Sequence, residues 1–169
     1  MLAAGPEAQA RVLGKHAVAV AHLTTIREAM LHALRCNAFA GPVLGDSEAL
    51  LTYLAFDMAG LTTERLRILY LNAANRLLAD EAEAEGTVNA ARVLPRSIMR
   101  RALDLGATAM ILVHNHPSGD PTPSRDDIEA TRRIAEAARA LDICVHDHVI
   151  VGGSGWTSFR ALGLLRAAA

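Results

Sequence analysis

The sequence is short of lysine, aromatic residues and cysteine, and each shortage closes off a class of function. A single lysine, Lys15, stands against sixteen arginines. With 17 basic and 18 acidic side chains the formal charge is −1. That leaves no basic surplus for gripping nucleic acid by bulk charge, or for a polybasic membrane anchor. Aromatics amount to 4%, too few for stacking platforms that hold single strands. Cys36 and Cys144 stand alone, with no C-x-x-C, which excludes a cysteine zinc ribbon and a thioredoxin-type pair. Two unpaired thiols suit a reducing cytoplasm. No apolar run reaches about 18 residues, and the N-terminus shows no basic-then-apolar signal. The expectation is a cytoplasmic protein with no membrane segment. What is present is a globular composition: 169 residues, 51% hydrophobic and 21% charged. A domain of this length hides roughly two-thirds of its unfolded surface and needs no disulfide staple.

The hydrophobic pattern alternates between helical and extended periods. Residues 6–36 read as helix with one break at Gly14, and Ile26, Met30, Leu31 and Leu34 recur at helical spacing. A turn-rich linker is expected over 37–46, then a helix over 47–57 capped by Ser47 or Asp46. Residues 66–71 (LRILYL) read as a strand, 72–76 (NAANR) as a turn, and Leu77 onward as the return strand of a hairpin. Gly86 punctuates the next stretch. Pro95 opens a helix, with Ile98, Met99, Ala102 and Leu105 as its buried stripe and Gly106 past its end. The run 108–113 (TAMILV) predicts a buried strand. A proline-rich loop follows, then a helix over 125–141, a strand over 143–151, and a glycine turn before Trp156. The fold class is therefore α/β: a mixed sheet with helices on its faces, behind a short helical N-terminal segment. The domain division expected is 1–45 for that segment and 46–169 for the α/β domain.

The segment that carries chemistry is VHNHPSGDPTPSRDD, residues 113–127. His114 and His116 follow a buried strand, and in extended chain residues two apart share a face. Two imidazoles converging there make half of a metal site. H-x-H by itself is a weak signal, and is more often two loop histidines bonded to backbone. Asp127 tips the balance. On a helical wheel at about 100° per residue, Thr131, Ile134, Ala135, Ala138 and Leu141 lie on one half. Every charged residue of the helix lies on the other except Asp127, which falls inside the apolar stripe. A carboxylate aimed at a core is costly unless paired or bound to metal. Ser124 and Asp127 also have the spacing of a capping box, which accounts for an acid there but not for its inward aim. Two histidines and one aspartate leave a fourth tetrahedral position for water, the arrangement of a catalytic zinc, Zn2+. H-E-x-x-H and the deaminase pattern are both absent.

H-x-H-x10-D with S-x-x-D inside it resembles the JAMM motif of JAB/MPN-type metalloproteases. The string HNHPSGDPTPSRDD preceded by ILV is similar to the RadC branch of that family. The likeness extends from about residue 64 to 165 and takes in the Pro95-Arg96 helix start, DHVIVG and SFRALGLL. It implies a curved mixed sheet flanked by helices, with His114, His116 and Asp127 as zinc ligands. Ser124 matches the family's oxyanion-steadying serine, and reads as a plain N-cap with equal ease. The family's upstream glutamate, a general base, matches Glu64, with Glu85 as the fallback. His148, after Asp147, lies in a stretch that fits the RadC pattern and could support the ligands from behind, as could Asp147. His146 reads more readily as a satisfied core or edge histidine. Leu13-Gly14-Lys15 resembles the tail of a helix-hairpin-helix region. With only half a hairpin and no basic surplus, DNA binding is not expected.

Two functions follow as expectations. One is a zinc-dependent peptidase or isopeptidase acting on a polypeptide. The other is a non-enzymatic, metal-stabilised interaction module associated with DNA repair, whose partner is a protein. The letters H-N-H do not make a nuclease, because that motif spreads its residues over a longer unit. The apolar N-terminal helices could pair two copies into a homodimer.

Overall fold

In the computed structural model the described residues are 11–12, 14, 16–45, 47–85 and 95–165. Helix α1, Ala17–Ala38, leads through a short 3-10 turn, Val43–Gly45, into α2, Ser47–Met58. Strands β1, Arg65–Leu71, and β2, Leu77–Glu85, form the expected hairpin. Asn72 shapes its turn by accepting hydrogen bonds from the Ala74 and Arg76 backbone N–H groups at 3.0 Å each, and Asn75 takes the left-handed conformation there. Helix α3, Pro95–Asp104, begins at its proline and is followed by Gly106 at φ +65°. Then come β3, Ala109–Asn115, α4, Arg125–Arg139, β4, Cys144–Gly152, and β5, Gly155–Ser158. The expected glycine turn is thus the bend of a second hairpin, whose four-residue return strand is too short to register as a sequence pattern.

The five strands lie in the order β2-β1-β3-β4-β5. All neighbours are antiparallel except β3 and β4, which run parallel with α4 as the crossover. β3 is central and buried at every position, which is why its first five residues, 109–113, are an unbroken apolar run. Each sheet face has its own core. On one, Leu69, Leu71, Ile111, Val113, Val149 and Val151 meet Leu50, Tyr53, Leu54 and Met58 of α2. On the other, Leu66, Ile68, Tyr70, Met110 and Leu112 meet Ile98, Met99 and Ala102 of α3 and Ile134 and Ala138 of α4.

Helix α1 closes over the first core through Leu31, Leu34 and Ala38. Ile26 and Met30, expected in the same stripe, are exposed instead. Leu13 and Lys15 of the half hairpin, and Gly86, lie outside the described residues. Among the described residues no helix is long and apolar enough to cross a membrane.

Candidate metal centre

The second core ends at a polar cluster. His114 is the sixth residue of β3, paired with Leu66 of β1, and it continues the face set by Met110 and Leu112. His116 comes just past the strand, where its backbone N–H donates to the Val151 carbonyl of β4 at 2.9 Å. Asp127 sits in the first turn of α4. Ser124 is the N-cap and the capping box is complete: Asp127 N–H donates to Ser124 Oγ at 3.1 Å, and Ser124 N–H donates to Asp127 Oδ2 at 2.8 Å. The Ser124 hydroxyl also donates to Oδ2, at 2.5 Å. Capping and inward aim therefore coexist, and the cap holds the carboxylate in place. Asp127 heads the stripe Thr131, Ile134 and Ala138 that α4 buries.

The donor atoms converge. His114 Nε2 and His116 Nε2 are 2.9 Å apart. Asp127 Oδ1 is 3.3 Å from His114 Nε2, and Oδ2 is 3.4 Å from His116 Nε2. Glu64 completes a group whose four ligand atoms all lie within 4.8 Å of one another. A tetrahedral ion with bonds of about 2.0–2.1 Å has donors about 3.3 Å apart, so these spacings fit one small dication. The chemistry of the donors agrees. His116 Nδ1 faces the Asp120 carbonyl at 2.8 Å, a contact only an N–H can make, which leaves Nε2 as the ring nitrogen turned into the cluster.

His114 is backed by a buried chain. Its Nδ1 lies 2.7 Å from His148 Nε2, and His148 Nδ1 lies 2.5 Å from the hydroxyl of Thr131. Thr131 donates in turn to the Asp127 carbonyl at 2.6 Å. Phe159 stacks on the His148 ring at 4.6 Å between centroids. Burial drives the His114 pKa down to about 4, against the pull of Asp127, with His116 adding to the fall. Burial, aided by His114 and His116, also takes His148 well below its ordinary value. Both rings are neutral at physiological pH and ready to act as ligand and support.

The remaining candidates are placed as follows. Glu64 precedes β1, half-buried, on the side of the cluster. Glu85 ends β2 with its backbone opposite Arg65, and its side chain lies outside the described residues. Asp147 does not meet the His148 ring. Its Oδ1 accepts from the backbone N–H of His148 and Arg160, and its Oδ2 from the Ser158 hydroxyl, tying β4 to the segment after β5. His146 is far from the cluster, between Asn75 Oδ1 at 2.8 Å and Cys144 Sγ at 3.5 Å.

Two supports were missed in the sequence. Asn115, buried between the two histidines, accepts from Arg65 N–H at 2.9 Å and donates to the Thr63 carbonyl at 3.0 Å. It grips the backbone on both sides of Glu64. Thr131 carried a usable signal, a lone hydroxyl one turn after Asp127 in an apolar stripe. Asn115 carried none, because its partners are fifty residues away.

The cluster lies in a stretch of chain shared with known proteins. A UPF0758 protein of Rhodobacter capsulatus is 46% identical over 165 residues, covering 98% of this chain and 77% of that protein. The RadC-like JAB domain matches residues 44–164, the span that contains the whole sheet and all four cluster residues. The chain belongs to the RadC-like JAB domain family.

Proposed function

We propose that the protein is a zinc-dependent hydrolase of the JAMM class, a peptidase or isopeptidase that cleaves an amide in a polypeptide. The observation that carries this reading is the convergence of two imidazole nitrogens and both Asp127 oxygens within 3.4 Å, with Glu64 alongside. His114, His116 and Asp127 would hold the ion, which supplies Lewis-acid chemistry: it acidifies water and polarises a carbonyl. Three protein ligands are the usual number for a catalytic zinc, whereas structural sites close all four positions. Glu64 takes the proton of the attacking water and passes it to the leaving nitrogen. Asn115 steadies Glu64 through the backbone on either side. Ser124 can steady an oxyanion only when its hydroxyl turns away from Asp127 Oδ2, so its first task is to aim that carboxylate.

The test pairs metal analysis with hydrolysis of quenched-fluorescence peptide and isopeptide libraries. Glu64→Gln should retain one zinc per chain and lose about 10²- to 10⁴-fold in rate. His116→Ala should lose the zinc. A Glu64→Gln variant that cleaves at the wild-type rate removes Glu64 from the mechanism. A zinc-loaded wild type that cleaves nothing, and loses its fold on chelation, is instead a metal-stabilised interaction module.

A further inference from the structure

The buried chain behind His114 has a direction, and one proton fixes it. Thr131 has a single hydroxyl hydrogen. The Asp127 carbonyl 2.6 Å away has none to give, so Thr131 donates there. Toward His148 Nδ1, 2.5 Å away, Thr131 can only accept, so Nδ1 carries a proton. Neutral His148 then has a bare Nε2, and His114 Nδ1 at 2.7 Å must donate to it. Neutral His114 is left with its lone pair on Nε2, the atom that faces His116 and Asp127. Free imidazole side chains in water favour the opposite form, with the proton on Nε2. All three residues are buried, with exposures of 1%, 4% and 3% for Thr131, His148 and His114, so water does not compete for these bonds.

We propose that Thr131 and His148 are positioning residues that lock His114 in its Nδ1–H tautomer and thereby present Nε2 to the metal ion. The same hydroxyl bonds the backbone of Asp127, so one side chain registers two ligands from different elements. Helix α4 and strand β4 are thus coupled to the site through a ring that closes on Asp127. The proposal rests on the metal-site reading for its purpose, but the tautomer is a property of the metal-free chain.

The experiment uses the full chain labelled with nitrogen-15. Long-range proton–nitrogen spectra of the metal-free protein at neutral pH should show His114 protonated at Nδ1 and bare at Nε2. Thr131→Val removes the hydroxyl at nearly constant shape. It should shift His114 toward the Nε2–H form and weaken Zn2+ binding, measured against a chromogenic chelator, by about 10- to 100-fold. Thr131→Ser should restore both. His148→Gln, which can accept from His114 and donate to Thr131, should retain more affinity than His148→Leu, with thermal melting used to confirm that each variant is folded. A wild-type His114 protonated at Nε2, or a folded Thr131→Val that binds zinc as tightly as wild type, overturns the lock. If the wild type takes up no zinc, the metal reading falls, and the metal-free spectra still decide the lock.

Discussion

His114 and His148 are buried imidazoles whose charge the fold refuses, and this has a consequence for stability. On unfolding, each regains an ordinary pKa near 6.5, whereas in the fold both lie lower, His114 at about 4. Below the unfolded value the unfolded chain binds more protons than the native one, so acid pulls toward unfolding. The metal-free protein should therefore hold full stability above about pH 6.5 and lose a few kcal/mol as the pH falls toward 4. Urea melts across that range measure it. His148→Gln should flatten the profile, and a profile already flat in the wild type would mean that the rings are charged in the fold. At this scale the sequence was informative about Asp127, because a carboxylate in an apolar stripe must have a partner. It was silent on Asn115, whose partners at residues 63 and 65 lie just before and at the start of another strand.

Elements bring these residues into register, and two local irregularities matter most. The first is a bulge in β4, where Met110 pairs with Val145 but Ile111 pairs with Asp147. The skipped residue, His146, reverses the alternation. Val145 packs on the second core, while Val149 packs on the first. Without the bulge, strand alternation from Val145 would bring Asp147, not His148, to the face of His114. The second is Gly152, where β4 passes the loop that carries Asp120. A Cβ there would sit 2.4 Å from the Gly119 carbonyl oxygen and 3.1 Å from Pro121 Cδ. That loop holds His116 through the Asp120 carbonyl and is pinned by Ser154, whose N–H and hydroxyl both donate to the Gly119 carbonyl. Gly152→Ala should cost about 1–3 kcal/mol and weaken zinc binding by displacing His116. Gly153→Ala, whose Cβ would meet only an ordinary 3.6 Å contact, should leave both unchanged. Thermal melting and zinc titration of the pair check this, and equal behaviour of the two variants would count against it.

Across the whole molecule the sheet separates the buried Arg67–Asp80 network from the candidate metal-binding cluster. On the α2 face, Arg67 makes a bidentate contact with Asp80 through Nε at 2.7 Å and Nη2 at 2.6 Å. Tyr53 donates to Asp80 at 3.0 Å, and Asp57 joins Arg67 to Arg27. The Asp80 side chain is 2% exposed and that of Arg67 13%, so removing one partner strands a buried charge. Asp80→Ala should cost about 3–5 kcal/mol in urea unfolding. Zinc affinity, read on the folded fraction, should not change, because the cluster lies across β3 on the other face. Loss of zinc binding in a folded Asp80→Ala would show that the faces are coupled.

The amino-acid order alone determined the alternation of helix and strand and the α/β class, and it singled out His114, His116 and Asp127, which the fold brings together. Those signals are local: strand period, helix period and a capping spacing act over a few residues. Only the tertiary structure decided whether His148 or Asp147 faces the cluster, since a bulge in strand pairing sets it. It also decided that Thr131 and Asn115 stand behind the site, and that Ile26 and Met30 stay exposed. These outcomes depend on which element lies beside which, and periodicity along one segment carries no information about its neighbour.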